Sequence, residues 1–189
     1  MKRIFSVKRL IPGMRELAFL VTLLVLLFLF FPFSRAHSAD LDDLLQERTS
    51  TLWIEGQVIG DMILGSRAQL AIIYVDSRLV KAVSGNHQAP EWLKWNVQYF
   101  STLKKGSCLF ILRYKTFKPW DFQPGLVHVD GVAIERSNIK TREAFLLEGE
   151  LPSDTTGTCA VEISLSGLKP GKTLSVGYDE FETQWKVPR

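Results

Sequence analysis

Aromatic side chains are the strongest candidates for a binding site in this sequence. Trp92, Trp95 and Trp120 lie near polar or proline-rich turns, where exposed rings are expected, and Tyr99 continues the same helical stripe as Trp92 and Trp95. Exposed tryptophan and tyrosine rings stack on ligands and form the hot spots of interfaces. These four residues are therefore the candidate ligand-binding site. Burial of the same rings would instead indicate a structural role.

Residues 113–120 (RYKTFKPW) interleave cations with aromatic rings. This composition suits an anionic surface, a glycan or a partner protein, because rings and cations combine stacking with charge pairing. A solvated edge strand is the simpler interpretation, since lysines along an edge discourage unwanted strand pairing. The sequence favours the edge strand and leaves the binding surface as the alternative.

Cys108 and Cys159 are the two cysteines of the chain. Each stands at the start of a predicted strand, so both are expected near the same end of the domain. An even number of cysteines in an exported chain indicates a disulfide, and closing this loop of about 50 residues would contribute roughly 4 kcal/mol. The alternatives are two buried thiols and, less favoured, a catalytic cysteine.

No motif for catalysis, metal binding or cofactor binding is found. His87 and His128 are far apart in the sequence and have no zinc-ligand spacing. Asp121, Asp130 and Glu135 do not form the alternating acidic loop of a calcium site. The sequence also lacks the nucleophile elbow of hydrolases and the glycine-rich loops that hold phosphates. We therefore expect no catalytic residue, no metal and no cofactor.

Short strands are the elements that must position these residues. From Thr51 onward, short apolar runs are separated by Gly, Pro, Asn and Asp, which is typical of strands. Strands are predicted at residues 51–59, 68–75, 78–84, 108–115, 126–134, 143–150, 158–166, 173–178 and 182–187. So many short strands predict a mainly β fold, an antiparallel sandwich.

One segment, residues 90–106 (PEWLKWNVQYFSTLKKG), fits two structures. Pro90 and Glu91 are suitable for a helix start, and two lysines and a glycine are suitable for its end. The alternation of Leu93, Trp95, Val97 and Tyr99 with polar residues also fits a strand. Because the signals at both ends agree, a short helix near 90–105 is favoured.

The C-terminal third resembles fibronectin type III domains. Residues 160–178 (AVEISLSGLKPGKTLSVGY) contain a strand, an L-x-P-G turn at Leu168, Pro170 and Gly171, and a second strand. The resemblance implies an immunoglobulin-like β-sandwich for residues 51–189. It implies no activity, since such sandwiches host adhesion, recognition and structural roles.

The N-terminal segment indicates export. Residues 17–34 carry no charge and follow a basic stretch, and small residues come next, at Ala36 and Ser38. This order is that of a signal peptide, so residues 1–38 are predicted to be cleaved and residues 39–50 to be a linker. The alternative is an uncleaved helix, because the apolar run is near the length that spans a bilayer.

Net charge limits the choice of partners. Six of the 23 basic and one of the 20 acidic residues occur up to His37, which leaves 17 basic against 19 acidic residues beyond it. This near balance gives no strong field for nucleic acid.

We expect a periplasmic or secreted protein, or one anchored in the inner membrane of a bacterium by residues 17–34, with membrane contact only through that segment. The leading function is a non-enzymatic interaction or structural module whose partner is an envelope protein or a glycan. A small-ligand or carbohydrate-binding sandwich is the alternative.

Overall fold

The computed structural model describes residues 36–165 and 168–188. The fold is mainly β, with antiparallel sheets. The predicted export segment, residues 17–34, lies outside the described residues. In the described part of the chain, no helix is long and apolar enough to cross a bilayer. The helices are α1 (Ala36–Arg48), α2 (Ser77–Gly85) and α3 (Glu91–Val97). The strands are β1 (Thr49–Ile54), β2 (Gln57–Ile59), β3 (Met62–Leu64), β4 (Ala68–Val75), β5 (Ser107–Thr116), β6 (Trp120–Phe122), β7 (Val127–Val129), β8 (Val132–Ala133), β9 (Gly149–Leu151), β10 (Thr156–Ser164), β11 (Thr173–Tyr178) and β12 (Phe181–Lys186).

The first sheet has the strand order β1-β4-β5-β10 and is antiparallel throughout. Along β5, Leu112 and Tyr114 belong to one core and Leu109 and Ile111 to another, because successive side chains point to opposite faces. Much of β5 is thus buried on both faces, which explains its continuous apolar run. Since β5 lies between β4 and β10, the predicted edge strand at residues 113–120 is wrong.

The second sheet has the order β12-β11-β7-β8, and its inner face packs on the first sheet. β12 lies beside β1, so the two sheets also meet along one edge. The shared core joins side chains of both sheets, among them Phe110, Leu112, Val161, Ile163, Val127, Val129, Leu174 and Val176. Two short ladders, β2-β3 and β6-β9, complete the strand pairing of the described residues.

Two helices cover part of the outer face of the first sheet. The buried side of α2 carries Leu79 and Val83, and that of α3 carries Leu93 and Val97. The strand predicted at residues 78–84 is therefore wrong, because this segment is α2. Asp76 caps it by accepting a hydrogen bond from the Leu79 backbone N–H at 2.8 Å, and such a cap favours a helix over a strand.

The helix favoured near residues 90–105 is confirmed. It consists of α3 followed by a 3₁₀ turn at Gln98–Thr102. Immediately before β1, α1 occupies most of the segment predicted as a linker, residues 39–50. Leu41 and Arg48 of this helix are buried against the folded domain, so the segment is part of the packed structure.

Other predicted strands are shorter than expected or interrupted. The strand at residues 126–134 is a hairpin of β7 and β8, turned by Asp130 and Gly131 with φ of 51° and 78°, as Asp-Gly favours in two-residue turns. Of the strand predicted at residues 143–150, only Gly149 and Glu150 belong to a strand, β9, because Glu143–Phe145 forms a 3₁₀ turn. The strand at 51–59 is divided into β1 and β2.

Both cysteines are free thiols, so the predicted disulfide is not formed. They lie on paired strands, but Cys108 is opposite Ile163 and Cys159 is opposite Leu112. This register places the cysteines four residues apart along the ladder, roughly 13 Å at the rise of a strand. A disulfide needs Cα atoms within about 7 Å. The sequence predicted the strands that carry the cysteines correctly. It placed both cysteines near the same end of the domain incorrectly, because β5 and β10 are antiparallel and begin at opposite ends.

Candidate functional site

One stripe of α3 and the following turn presents aromatic rings at the surface. Leu93 and Val97 bury their side of the helix against the first sheet. Trp92, Trp95 and Tyr99 follow at spacings of three and four residues, so they share the adjacent face. The sequence thus places three of the four candidate rings in one cluster, because helical periodicity alone brings them together.

These rings line a surface cleft of about 290 Å³, which we call the aromatic cleft. Its aromatic lining is Trp92, Trp95, Tyr99 and Phe145. Trp95 and Phe145 are 64% and 69% exposed, whereas large aromatic side chains usually bury most of their surface. Polar groups also line it, from Asn96, Gln98, Thr141 and Thr158. Rings beside a few polar groups are the usual composition of a small-molecule site.

The aromatic cleft has two walls, α3 on one side and residues 141–145 on the other. Hydrogen bonds hold both walls to β10. From α3, the Asn96 side-chain amide donates to the Trp92 carbonyl at 2.6 Å and to Thr158 Oγ1 at 3.3 Å. On the other wall, Thr141 Oγ1 accepts from the Ala160 N–H at 2.8 Å. Both walls are therefore fixed to the same strand, and the spacing of the rings is set without a ligand.

A partly buried ion pair secures the second wall. The Lys140 ammonium contacts the Glu162 carboxylate, which also accepts a hydrogen bond from the Lys104 backbone N–H at 2.8 Å. Burial raises the pKa of Glu162, but hydrogen bonds from Lys140 and Lys104 outweigh this effect and hold that pKa below its usual value. The charged carboxylate therefore anchors the segment that leads to Phe145.

Trp120 is not part of the aromatic cleft. It is 5% exposed and belongs to the core between the sheets. Its ring lies 5.0 Å from the ring centroids of both Phe122 and Tyr178. The proline before it indicated a turn, but the short strand β6 pairs with β9 and turns the ring inward. Trp185 is also buried, whereas Trp53 is half-buried and stacks on Phe117.

Sequence analysis did not find Phe145. It lies in the 3₁₀ turn inside a segment predicted as a strand, where an alternating phenylalanine would be expected to face a core. An available signal was the charged run before it, Lys140, Arg142 and Glu143, because a ring that follows several charges is suited to a surface turn.

A second surface depression adjoins the aromatic cleft and shares Trp92 with it. This cationic groove, of about 350 Å³, lies over the half of the first sheet that the helices leave open. Arg113 and Lys115 project into it from β5, and Gln69 and Thr156 flank Lys115 on the neighbouring strands. Partial burial lowers the pKa of Arg113 from its usual value, and an arginine nevertheless keeps its charge.

Neither depression is lined by a described Asp, Glu, His or Cys, so no acid, base or nucleophile of those types faces a ligand there. His87 lines another groove, between α2 and α3, and His128 lies 3.7 Å from Glu182 in the second sheet. Among the described residues, no three His, Cys, Asp or Glu side chains converge as a metal site would require. The two depressions are thus equipped for stacking, hydrogen bonding and charge pairing.

Comparison of the chain with family models, curated protein sequences and solved structures finds no match. The resemblance of residues 160–178 to fibronectin type III domains therefore stays a prediction from the sequence. Function has to be argued from the aromatic cleft and the cationic groove.

Proposed function

We propose that this protein is an exported, non-enzymatic binding module of the bacterial envelope and that the aromatic cleft is its ligand site. The observation that carries the proposal is the cluster of Trp92, Trp95, Tyr99 and Phe145, in which Trp95 and Phe145 are largely exposed. Exposed clusters of rings mark interaction sites on soluble domains. The polar side chains beside the rings would give direction to binding, because their hydrogen bonds need defined partners.

A carbohydrate fits these features best. The flat, weakly polar face of a sugar ring stacks on an aromatic side chain, and its hydroxyl groups pair with amides and hydroxyls. Trp95 and Phe145 supply exposed rings, and Gln98 and Thr158 supply polar groups in the same cleft. A purely structural module gives no reason to leave both rings in water, since burying each would contribute on the order of 2 kcal/mol or more.

The test is binding of the purified chain to immobilised envelope glycans, comprising peptidoglycan fragments and neutral and acidic oligosaccharides. Trp95→Ala and Phe145→Ala should each abolish or strongly weaken binding to the glycan that is retained. Met62→Ala is the matched control, because Met62 is 60% exposed and lies on β3, outside the cleft. Binding that is unchanged by both cleft substitutions would refute the proposed site. Absence of binding to every glycan would favour a protein partner.

Export is proposed from the uncharged run at residues 17–34 and the basic residues before it. Mass spectrometry of the protein from cell fractions distinguishes the two forms. A periplasmic or secreted chain lacking residues up to about Ser38 is expected. The intact chain in the inner-membrane fraction would indicate anchoring by the same segment.

We also propose that the two facing sheets are a divergent immunoglobulin-like sandwich. Supporting this, β10 and β11, on either side of the turn with Pro170 and Gly171, belong to opposite sheets. Gly171 has a φ of 85°, as an L-x-P-G turn allows at glycine. The insertion of α2 and α3 between β4 and β5 departs from a simple sandwich.

A further inference from the structure

The cationic groove presents two positive side chains without an acidic partner among the described residues. Arg113 and Lys115 are two positions apart on β5, so their backbones are about 7 Å apart on the same face. Arg113 lies opposite Ala71 and Thr158, and Lys115 opposite Gln69 and Thr156. These neighbours are small or uncharged, so they leave the cations open to a ligand.

Aromatic rings position both cations. The Arg113 guanidinium lies 4.2 Å from the centroid of the Trp92 ring, and Lys115 Nζ lies 5.7 Å from that of Phe117. Phe117 is itself stacked on Trp53, with ring centroids 6.1 Å apart. A ring supports the charge but does not satisfy its N–H donors. The donors of the guanidinium thus remain available to an anion, and arginine pairs with a carboxylate through two parallel bonds.

The groove and the aromatic cleft adjoin at Trp92. Trp92 lines both, and Thr156 and Thr158 lie on the same face of β10 on either side of the junction. A ligand that stacks in the cleft and reaches Lys115 must be longer than one ring. The ligand groups that lie over the groove should be negative, because Arg113 and Lys115 line the groove. No described carboxylate lines either depression.

An extended acidic peptide fits this surface less well. Peptides that bind sheets gain affinity by pairing with the free main-chain groups of an edge strand. The groove lies on the face of the sheet, where β5 is already paired on both sides with β4 and β10. The outer edge of β10 is occupied too, since Lys140 N–H donates to the Ala160 carbonyl at 2.8 Å. Only side chains are therefore left to recognise a ligand, and this suits a ligand of sugar rings that bear carboxylates.

We infer that the ligand is an acidic polysaccharide, whose sugar rings stack in the aromatic cleft and whose carboxylates pair with Arg113 and Lys115. This inference rests on the proposed function, because it specifies the glycan class bound by the same cleft. It predicts that uronic acid oligomers bind more tightly than neutral oligomers of equal length. It also predicts that added salt weakens the acidic ligand selectively, since exposed charge pairs are screened.

The experiment is calorimetric titration of the purified chain with a galacturonate hexamer and with cellohexaose, at low and high salt. Arg113→Gln combined with Lys115→Gln should weaken binding of the galacturonate hexamer roughly tenfold or more, because two charge-assisted contacts are lost. Cellohexaose binding should change little. Lys81→Gln with Lys186→Gln is the matched control, because it removes the same charge at two exposed positions outside both depressions.

Each outcome separates the inference from the proposed function. Equal affinity for both hexamers, unaffected by the Arg113 and Lys115 substitutions, would overturn the acidic ligand and keep the cleft as a glycan site. Failure of the galacturonate hexamer to bind overturns the inference as well. Hexaglutamate or phosphatidylglycerol vesicles, tested in parallel, would replace the polysaccharide if they bound in its place through the same cations. Loss of glycan binding in Trp95→Ala would still support the cleft.

Discussion

Arg48 and Asp76 form a bidentate ion pair between the end of α1 and the start of α2. Arg48 Nε lies 3.1 Å from Asp76 Oδ1, and Nη2 lies 2.8 Å from Oδ2. The Arg48 side chain is fully buried and also donates to the Leu44 carbonyl at 3.1 Å. Because Asp76 also caps α2 through the Leu79 N–H, one carboxylate organises the helix layer that carries the aromatic cleft.

Replacing Asp76 should destabilise the fold strongly. Asp76→Asn removes the two-point counter-charge of the buried Arg48 guanidinium and leaves it the exposed Glu47 carboxylate, 3.3 Å from Nη1. We expect a loss of about 3 kcal/mol in the free energy of unfolding. Asp76→Ala should cost about 1 kcal/mol more, because asparagine can still cap a helix and alanine cannot. Urea unfolding followed by circular dichroism measures both. Equal values for the two variants would contradict the capping role of Asp76.

The same pair should make stability depend on pH at the acidic end. Burial raises the pKa of Asp76, but hydrogen bonds from Arg48 and the Leu79 N–H outweigh it, so the pKa lies below its usual value. The stabilisation is complete above the unfolded-state pKa of about 3.9 and is lost as pH falls through the folded-state pKa.

Unfolding free energies measured from about pH 6 to pH 2 should therefore fall more steeply in the wild type than in Asp76→Asn. Glu162 also has a lowered pKa, but it is present in both proteins and its effect cancels in the comparison. Parallel curves would show that Asp76 is not stabilised in its charged form.

The cysteines should behave as two separate thiols. Burial raises the pKa of Cys108, and it raises the pKa of Cys159 to about 12. Since the thiolate is the reactive form, both should react slowly with a thiol reagent in the folded protein, and Cys159, which is fully buried, more slowly than Cys108. Titration after unfolding should find both thiols, and reductant should leave the unfolding midpoint unchanged. A midpoint lowered by reductant would instead show that the two cysteines form a disulfide.

The sequence predicted those parts of the fold that depend on local pattern. The strand at residues 68–75 and the helix near Trp92 have a clear period and clear ends. The α2 helix was missed although its signals are present, with Asp76 as a cap and Leu79 and Val83 four residues apart. The short apolar run of this segment suggested a strand, but the Asp76 cap favours the helix.

Features that depend on pairing between distant strands could not be predicted. Whether β5 is central or at an edge is decided by β4 and β10, which flank it in space. The separation of Cys108 from Cys159 is a matter of register, and no local signal specifies it. The burial of Trp120 likewise depends on the pairing of β6 with β9. Helical spacing in the sequence brings Trp92, Trp95 and Tyr99 together, whereas no local spacing links them to Phe145, which a distant turn supplies.

Tyr114 and Gly157 form a cross-strand pair that links the core to the wall of the aromatic cleft. A Cβ atom at position 157 would lie 2.3 Å from Cζ of Tyr114, so the ring covers the glycine. The ring cannot move aside easily, because it packs against Phe122 with centroids 4.2 Å apart. Its hydroxyl donates to the carbonyl of Leu147, two residues after Phe145, so the pair also supports the turn that carries that ring.

Gly157→Ala should therefore lower the free energy of unfolding by about 2 kcal/mol, as overpacking of a core does, and weaken glycan binding by displacing the turn with Phe145. The double variant with Tyr114→Ala should be less destabilised than the sum of the single variants, because the added methyl group no longer meets a ring. Gly85→Ala is the control, since nothing lies within 4 Å of its added Cβ, and it should be neutral or slightly stabilising. Additive effects of Gly157→Ala and Tyr114→Ala would show that the ring does not restrict position 157.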